Sequence, residues 1–204
     1  MTRRALMFRC GAAAGALALA GIIFILWTRP AAVPAPRRPH QELAPRAPAI
    51  GAGPLESRVK GLLIIRIVDE VEWPASSFES LFSPLRVGIL GRTGVKDSLA
   101  KALEKPGSAR RPVAIVEGDD PRDMGNCHVV FIPGGWRQDW DHVLSELTRP
   151  GVLTIGEEDG FLGAGGTMGF YLKDNRVRFA LDRARGERSG LKFTAKLLEL
   201  AGAP

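Results

Sequence analysis

A chain of 204 residues with 45% hydrophobic content is long enough to bury one ordinary core. Its net charge of +6 would suit a nucleic-acid binder only if the basic residues lay on the folded body. Residues 1–54 hold seven arginines against one acidic residue, Glu42, which accounts for the whole +6 and leaves 21 basic and 21 acidic residues from Leu55 onward. The body is neutral, so nucleic acid is not its expected partner.

In chain order, Arg3, Arg4 and Arg9 precede an unbroken run of small and apolar residues from Gly11 to Trp27. That length lies between a signal-peptide core and a membrane-spanning helix. The sole plausible cleavage point, after Val33-Pro34-Ala35, is followed directly by Pro36, so an uncleaved anchor is favoured over a cleaved signal peptide. Either reading predicts export. Seven prolines between Thr28 and Pro54 mark an extended spacer. The expected organisation is a signal peptide or anchor over 1–27, a linker over 28–54 and a folded domain over 55–204. The expected location is the periplasm, with possible tethering to the inner membrane through residues 11–27. Cys10 precedes the apolar run and is misplaced for lipidation. A single body cysteine, Cys127, cannot close an internal disulfide and reads as a small buried hydrophobe.

The stretch Glu56–Pro74 has the apolar spacing of an amphipathic helix at Val59, Leu62, Leu63, Ile67, Val68 and Val71, ended by Trp73-Pro74. Its polar arc, Arg58, Arg66, Asp69 and Glu70, also contains Leu62 and Ile65. Such a helix is either packed on both sides or uses Leu62 and Ile65 in a protein contact. Leu85–Leu90 reads as a strand, Val95–Leu103 as a helix, Val113–Val116 and Cys127–Ile132 as strands, Asp139–Leu147 as a helix and Val152–Ile155 as a fourth strand. That alternation predicts a mostly parallel sheet with helices on both faces. Met168–Lys173 and Val177–Leu181 flank the hairpin turn Asp174-Asn175, and a closing helix follows Ser189-Gly190. The expected fold is therefore an α/β three-layer sandwich with an antiparallel hairpin at one edge.

Few residues here point to chemistry. Gly88, Gly91 and Gly94 lack the spacing of a dinucleotide fingerprint. A pocket bounded by Gly91 and Gly94 on one loop and by Gly134 and Gly135, beside Trp136, on another would lie at the carboxyl edge of the sheet, where open α/β folds take ligands. His40, His128 and His142 have no ligand spacing, and no serine or cysteine sits in a nucleophile motif. The acidic runs Asp69-Glu70-Glu72 and Glu157-Glu158-Asp159 read as solvated element ends. No catalytic residue, metal site or cofactor is expected.

Val59-Lys60 with Val71-Glu72-Trp73-Pro74 opens a series continued by Arg86–Gly91, Arg111-Pro112-Val113, Cys127–Ile132, Val152–Gly156, Gly160-Phe161, Gly165–Phe170, Arg176–Asp182, Gly190-Leu191-Lys192 and Lys196–Ala201. In order and spacing this series resembles the YfiR family of small periplasmic proteins over Ser57–Ala201. The chain departs from the family pattern at Ile65, Arg66, Ile67, Glu70, Gly169 and Asp182, and lacks the second cysteines of some relatives. The resemblance implies a non-enzymatic regulator that restrains an inner-membrane diguanylate cyclase or sensor kinase by contact, with self-association as a further expectation. The implied contacts are Leu62, Ile65, Arg66 and Glu70 on the first helix, with Trp73 and Trp136. The alternative is a periplasmic small-molecule-binding sensory domain.

Overall fold

The structure, a computed structural model, describes residues 53–202 apart from 106, 108, 137 and 138. The leader, the linker to residue 52, Cys10 and His40 lie outside these residues. Among the described residues no helix is long and apolar enough to cross a membrane.

Helix α1 runs Pro54–Asp69, with Pro54 at its first turn, where a missing N–H leaves no bond unmade. It ends before Val71 rather than at Trp73-Pro74. Glu70 closes the last turn, its N–H donating to Ile67 O, and the Glu70 carbonyl then accepts from Thr194 N–H. With the backbone thus committed elsewhere, Val71 and Glu72 form strand β1, paired antiparallel with β8 (Lys192–Phe193). This two-stranded ribbon is absent from the helical pattern of the sequence, because Val71 keeps the helical spacing while its backbone has already left the helix.

The main sheet contains β2 (Leu85–Leu90), β3 (Val113–Gly118), β4 (Val129–Ile132), β5 (Leu153–Gly156), β6 (Met168–Lys173) and β7 (Arg176–Leu181), in the order β3-β2-β4-β5-β6-β7. Pairs are parallel until β6 and β7, which form the expected antiparallel edge. Their turn places Asp174 and Asn175 at φ of 51° and 57°, the left-handed conformation a two-residue hairpin demands. Between β2 and β3 lies α2 (Gly94–Leu103), and between β4 and β5 lies α3 (Trp140–Glu146). The chain closes with α4 (Arg183–Arg188), β8 and α5 (Ala195–Leu200). Helix α5 therefore starts later than its apolar run suggested, after Thr194 caps it by accepting from Leu197 N–H.

Alternation along the strands sends Val87, Ile89, Val129, Phe131, Leu153 and Ile155 to one face, where they meet Ile64, Ile67 and Val68 of α1, Val95 and Leu99 of α2, and Leu197 of α5. Leu90, Val130 and Ile132 meet Trp140 and Val143 of α3, with Met124 and Cys127, on the other. Two apolar layers flanking one sheet make the three-layer sandwich. Gly61 sets the depth of the first layer: a Cβ there would stand 2.8 Å from Leu99 N, so α1 and α2 touch backbone to backbone.

Candidate functional site

Two regions could carry function, one at each edge of the sheet. The strand order changes direction between β2 and β4, and the crevice at the carboxyl ends of such a pair is the usual ligand site of an open α/β sheet. Its walls are the loops 91–94 and 133–136. Gly91, at φ +70°, turns the chain after β2 so closely that a Cβ would lie 3.6 Å from Trp136 Nε1. Trp136 is only 3% exposed and belongs to the second core layer. Gly134 N–H donates to Glu157 Oε2 at 3.0 Å, and Gly135 N–H donates to Glu158 Oε1. Gly94 begins α2, its neighbour Thr93 accepting from Val95 N–H, and faces Ser57 of α1. The structure thus brings Gly91 to Trp136, and Gly134 and Gly135 to two glutamates, but the backbone donors that could have met an anion already meet carboxylates of the chain itself.

Under this loop lies a pairing that the sequence reading overlooked. Lys60 Nζ stands 2.8 Å from Glu157 Oε1 and 2.5 Å from Glu56 Oε1, with the Lys60 and Glu157 side chains 7% and 8% exposed. Burial pushes the Lys60 pKa down, but the carboxylates of Glu157 and Glu56 outweigh it and the net direction is up. The signal was present: Lys60 precedes Ile64 by four residues and Ile67 by seven, inside the arc that faces the sheet, with Glu56 one turn before it. Glu157 is therefore not a solvated element end.

At the amino edge, His128 is 4% exposed and both of its ring nitrogens are engaged. Arg86 N–H donates to Nδ1 at 3.0 Å, which makes Nδ1 the bare nitrogen, and Nε2–H donates to Ser77 O at 2.9 Å. The ring stacks on Phe78 at 4.5 Å, and the Arg111 guanidinium lies 4.0 Å from the centre of the Phe78 ring while Arg111 Nη1 donates to Ser83 O at 2.6 Å. Burial lowers the His128 pKa, offset in part by Ser77 O and reinforced by Arg149, Arg86 and Arg111. The neutral imidazole is thus a structural pin that fastens the loop after β1 to β2 and β4. Cys127, beside it, is buried, and burial pushes its thiol pKa up.

The remaining candidate contacts divide by exposure. On α1, Leu62 is 45% exposed and Arg66 is exposed, whereas Ile65, at 5%, lies in the first core layer. Ile65 is one residue from Ile64 and two from Ile67, and the helix tilts that whole arc onto its neighbours. The Glu70 carboxylate accepts from Thr194 Oγ1 at 2.8 Å and from Lys196 Nζ at 2.7 Å, with Lys196 and then Thr194 lowering its pKa. It ties α1 to the start of α5. Trp73 is half-buried against the first core layer, and Trp136 is in the second. Ile65, Glu70 and Trp136 are consequently not part of an exposed contact face, while Leu62, Arg66 and, in part, Trp73 are accessible. Leu55 and Arg58 join Leu62 and Arg66 on one exposed ridge, at i, i+3, i+7 and i+11. Among the described residues no group of three or more His, Cys, Asp or Glu is placed to hold a metal ion.

A family model described as YfiR/HmsC-like matches residues 57–202. No curated protein matches the chain. Among solved structures the chain is similar to the crystal structure of a conserved domain protein from Vibrio cholerae O1 biovar El Tor, at 9% identity and a TM-score of 0.46, covering 72% of this chain and 59% of that one.

Proposed function

Because the chain belongs to the YfiR/HmsC-like family, regulators rather than catalysts, we propose that it is exported and acts by binding the periplasmic part of an inner-membrane signalling protein, a diguanylate cyclase or sensor kinase, and holding it inactive. The observation that carries this reading is the α1 ridge. On a helix whose Ser57, Lys60, Gly61, Ile64, Ile65, Ile67 and Val68 are all buried, Leu55, Arg58, Leu62 and Arg66 stay exposed. Two leucines alternating with two guanidiniums suit an apolar groove with acidic residues along it.

Restraint of this kind follows from unequal affinity for two receptor states. About a hundredfold preference for the inactive state takes an evenly balanced receptor to about 99% inactive, and equal affinity changes nothing. No turnover is involved. The sensory-domain alternative is less well supported, because a ligand at the carboxyl edge would first have to displace Trp136 and the Glu157 and Glu158 carboxylates.

The test is capture through a photoreactive residue at Leu62 in cells, read together with cyclic-di-GMP. Recovery of a membrane signalling protein, with Leu62→Glu abolishing capture and raising cyclic-di-GMP to the level of the deletion strain, is the expected result where a cyclase is the target. Capture of no membrane protein through the ridge, together with unchanged signalling output in the deletion strain, overturns the reading.

A further inference from the structure

We propose that Leu81 and Phe82 form a prong by which the folded body rests on an anionic bilayer surface. These are the most exposed large apolar side chains among the described residues, at 85% and 89%. They are adjacent, and they stand on a turn that is internally bonded: Ser83 N–H donates to Ser80 O, Ser80 N–H to Ser83 Oγ and Phe82 N–H to Ser80 Oγ. The root of the turn is fixed by the Phe78–His128 stack and by Arg111, which covers Phe78 and donates to Ser83 O. The exposure therefore belongs to a built loop whose serines bond to one another across the turn and whose two large side chains stand out in solvent.

Charge and size favour lipid over protein as the occupant. Around the root, Arg86 and Arg110 are exposed and Arg111 and Arg149 half-buried. Of the carboxylates near these arginines, Asp69 Oδ1 already accepts from Arg110 N–H at 3.0 Å, and Glu70, which also acts on Arg110, is held by Lys196 and Thr194. Glu79 is exposed beside the turn, and Glu104 and Glu146 are exposed at the ends of α2 and α3. An arginine-rimmed apolar tip is complementary to anionic headgroups above acyl chains. The prong is only two residues wide, with Glu79, Ser80 and Ser83 beside it. A protein site needs a broad complementary surface, on the order of 800 Å² per partner, whereas a bilayer receives a narrow wedge without matching its shape. One weak wedge binds stably only alongside a second membrane signal, and the apolar run at 11–27 offers one in the same chain.

The contact is separate from the α1 ridge and does not depend on the receptor reading. It is tested on the full chain carrying Cys10→Ser, with an environment-sensitive fluorophore on Phe82→Cys and, in a parallel sample, on Leu172→Cys, another exposed apolar position. The buried Cys127 stays unlabelled. With vesicles containing phosphatidylglycerol, the label at 82 is expected to shift to the blue and the label at 172 to stay unchanged; Arg86→Glu with Arg110→Glu weakens the shift, as does high salt. With Phe82 unlabelled, Leu81→Ser lowers the affinity of the body for these vesicles about tenfold. No shift at 82 on any vesicle, an equal shift at 172, or a shift that appears only when a membrane protein partner is added would each overturn the proposal.

Discussion

The two edges of the sheet have exchanged the roles an open α/β fold usually gives them. The carboxyl edge, where topology opens a crevice, is filled by Trp136 and fastened by Glu157 and Glu158 on the glycine loop, with Lys60 beneath. The amino edge, usually a plain end of the sheet, carries the Leu81–Phe82 turn rooted on the Phe78–His128 stack. Polar groups point inward at one edge and apolar groups outward at the other. A domain arranged so is better suited to touching a surface than to enclosing a molecule, in keeping with the regulatory character of its family.

The sharpest way to break the contrast is to reopen the filled edge. Trp136→Ala removes the side chain that closes the crevice against Gly91 and should cost about 3–5 kcal/mol in urea unfolding. If the space left is the latent crevice, added indole should recover part of the lost melting temperature; collapse of the site, seen as no recovery, would mean that the crevice exists only as a packing seam. Next in size is Glu157→Ala. Lys60 would keep Glu56 but lose its more buried partner, and the expected loss is about 3 kcal/mol. Replacing the pair together, Lys60→Met with Glu157→Leu, should regain part of that, since the half-stranded Lys60 charge is removed while Gly134 N–H still lacks its acceptor. Raising pH tests the same pair: with the folded pKa of Lys60 above its ordinary value of 10.5, its contribution is fully present below 10.5 and is lost as pH climbs through the folded pKa.

His128 lets the amino edge be loosened with acid. Its folded pKa is below the ordinary 6.5, so between the two values the unfolded chain holds the extra proton and stability rises with pH. Its contribution is complete above about 6.5 and declines as pH falls, because a protonated Nδ1 would turn a hydrogen toward the Arg86 N–H that now donates to it. Groups bearing on the ring are Arg86, Arg111 and Arg149, all cationic, with the Ser77 carbonyl. Unfolding free energies measured from pH 7.5 to 5 should therefore fall more steeply for the parent chain than for His128→Phe. Equal slopes would remove the histidine from the account of this edge.

Much of the fold could be read in advance because its signals are local. Strands β2, β4 and β5 are short apolar runs, and Asp174-Asn175 can serve a two-residue hairpin with both φ values positive. What escaped depended on distant partners. Val71 keeps helical spacing, yet Lys192 and Phe193, more than a hundred residues later, take it into a strand. Ile65 fell on the polar arc of an ideal wheel, but packing on α1 buries a wider sector than the wheel assigns. The pairing of Lys60 with Glu157 was half visible, in a lysine on the sheet-facing arc, while its partner sat in what looked like a solvated acidic run. Leu81 and Phe82 escaped for the opposite reason. Two adjacent apolar residues have no periodicity to mark them, and only their exposure on a turn closed by Ser80 and Ser83 shows that they are presented and not packed.

The smallest expected effect is also the one that separates presentation from packing. Replacing both Leu81 and Phe82 with serine should change the unfolding free energy by no more than about 0.5 kcal/mol, since at 85% and 89% exposure the side chains give up almost nothing in the unfolded chain. Phe131, fully buried in the sheet, supplies the scale: its replacement by alanine should cost about 3–5 kcal/mol. Natural loops that expose two large apolar residues pay in solubility, so the double serine variant should also remain monomeric to higher concentration in light scattering. A loss approaching that of Phe131→Ala would mean that the turn folds back onto the body in solution, and the difference between the two edges would then reduce to two closed ends.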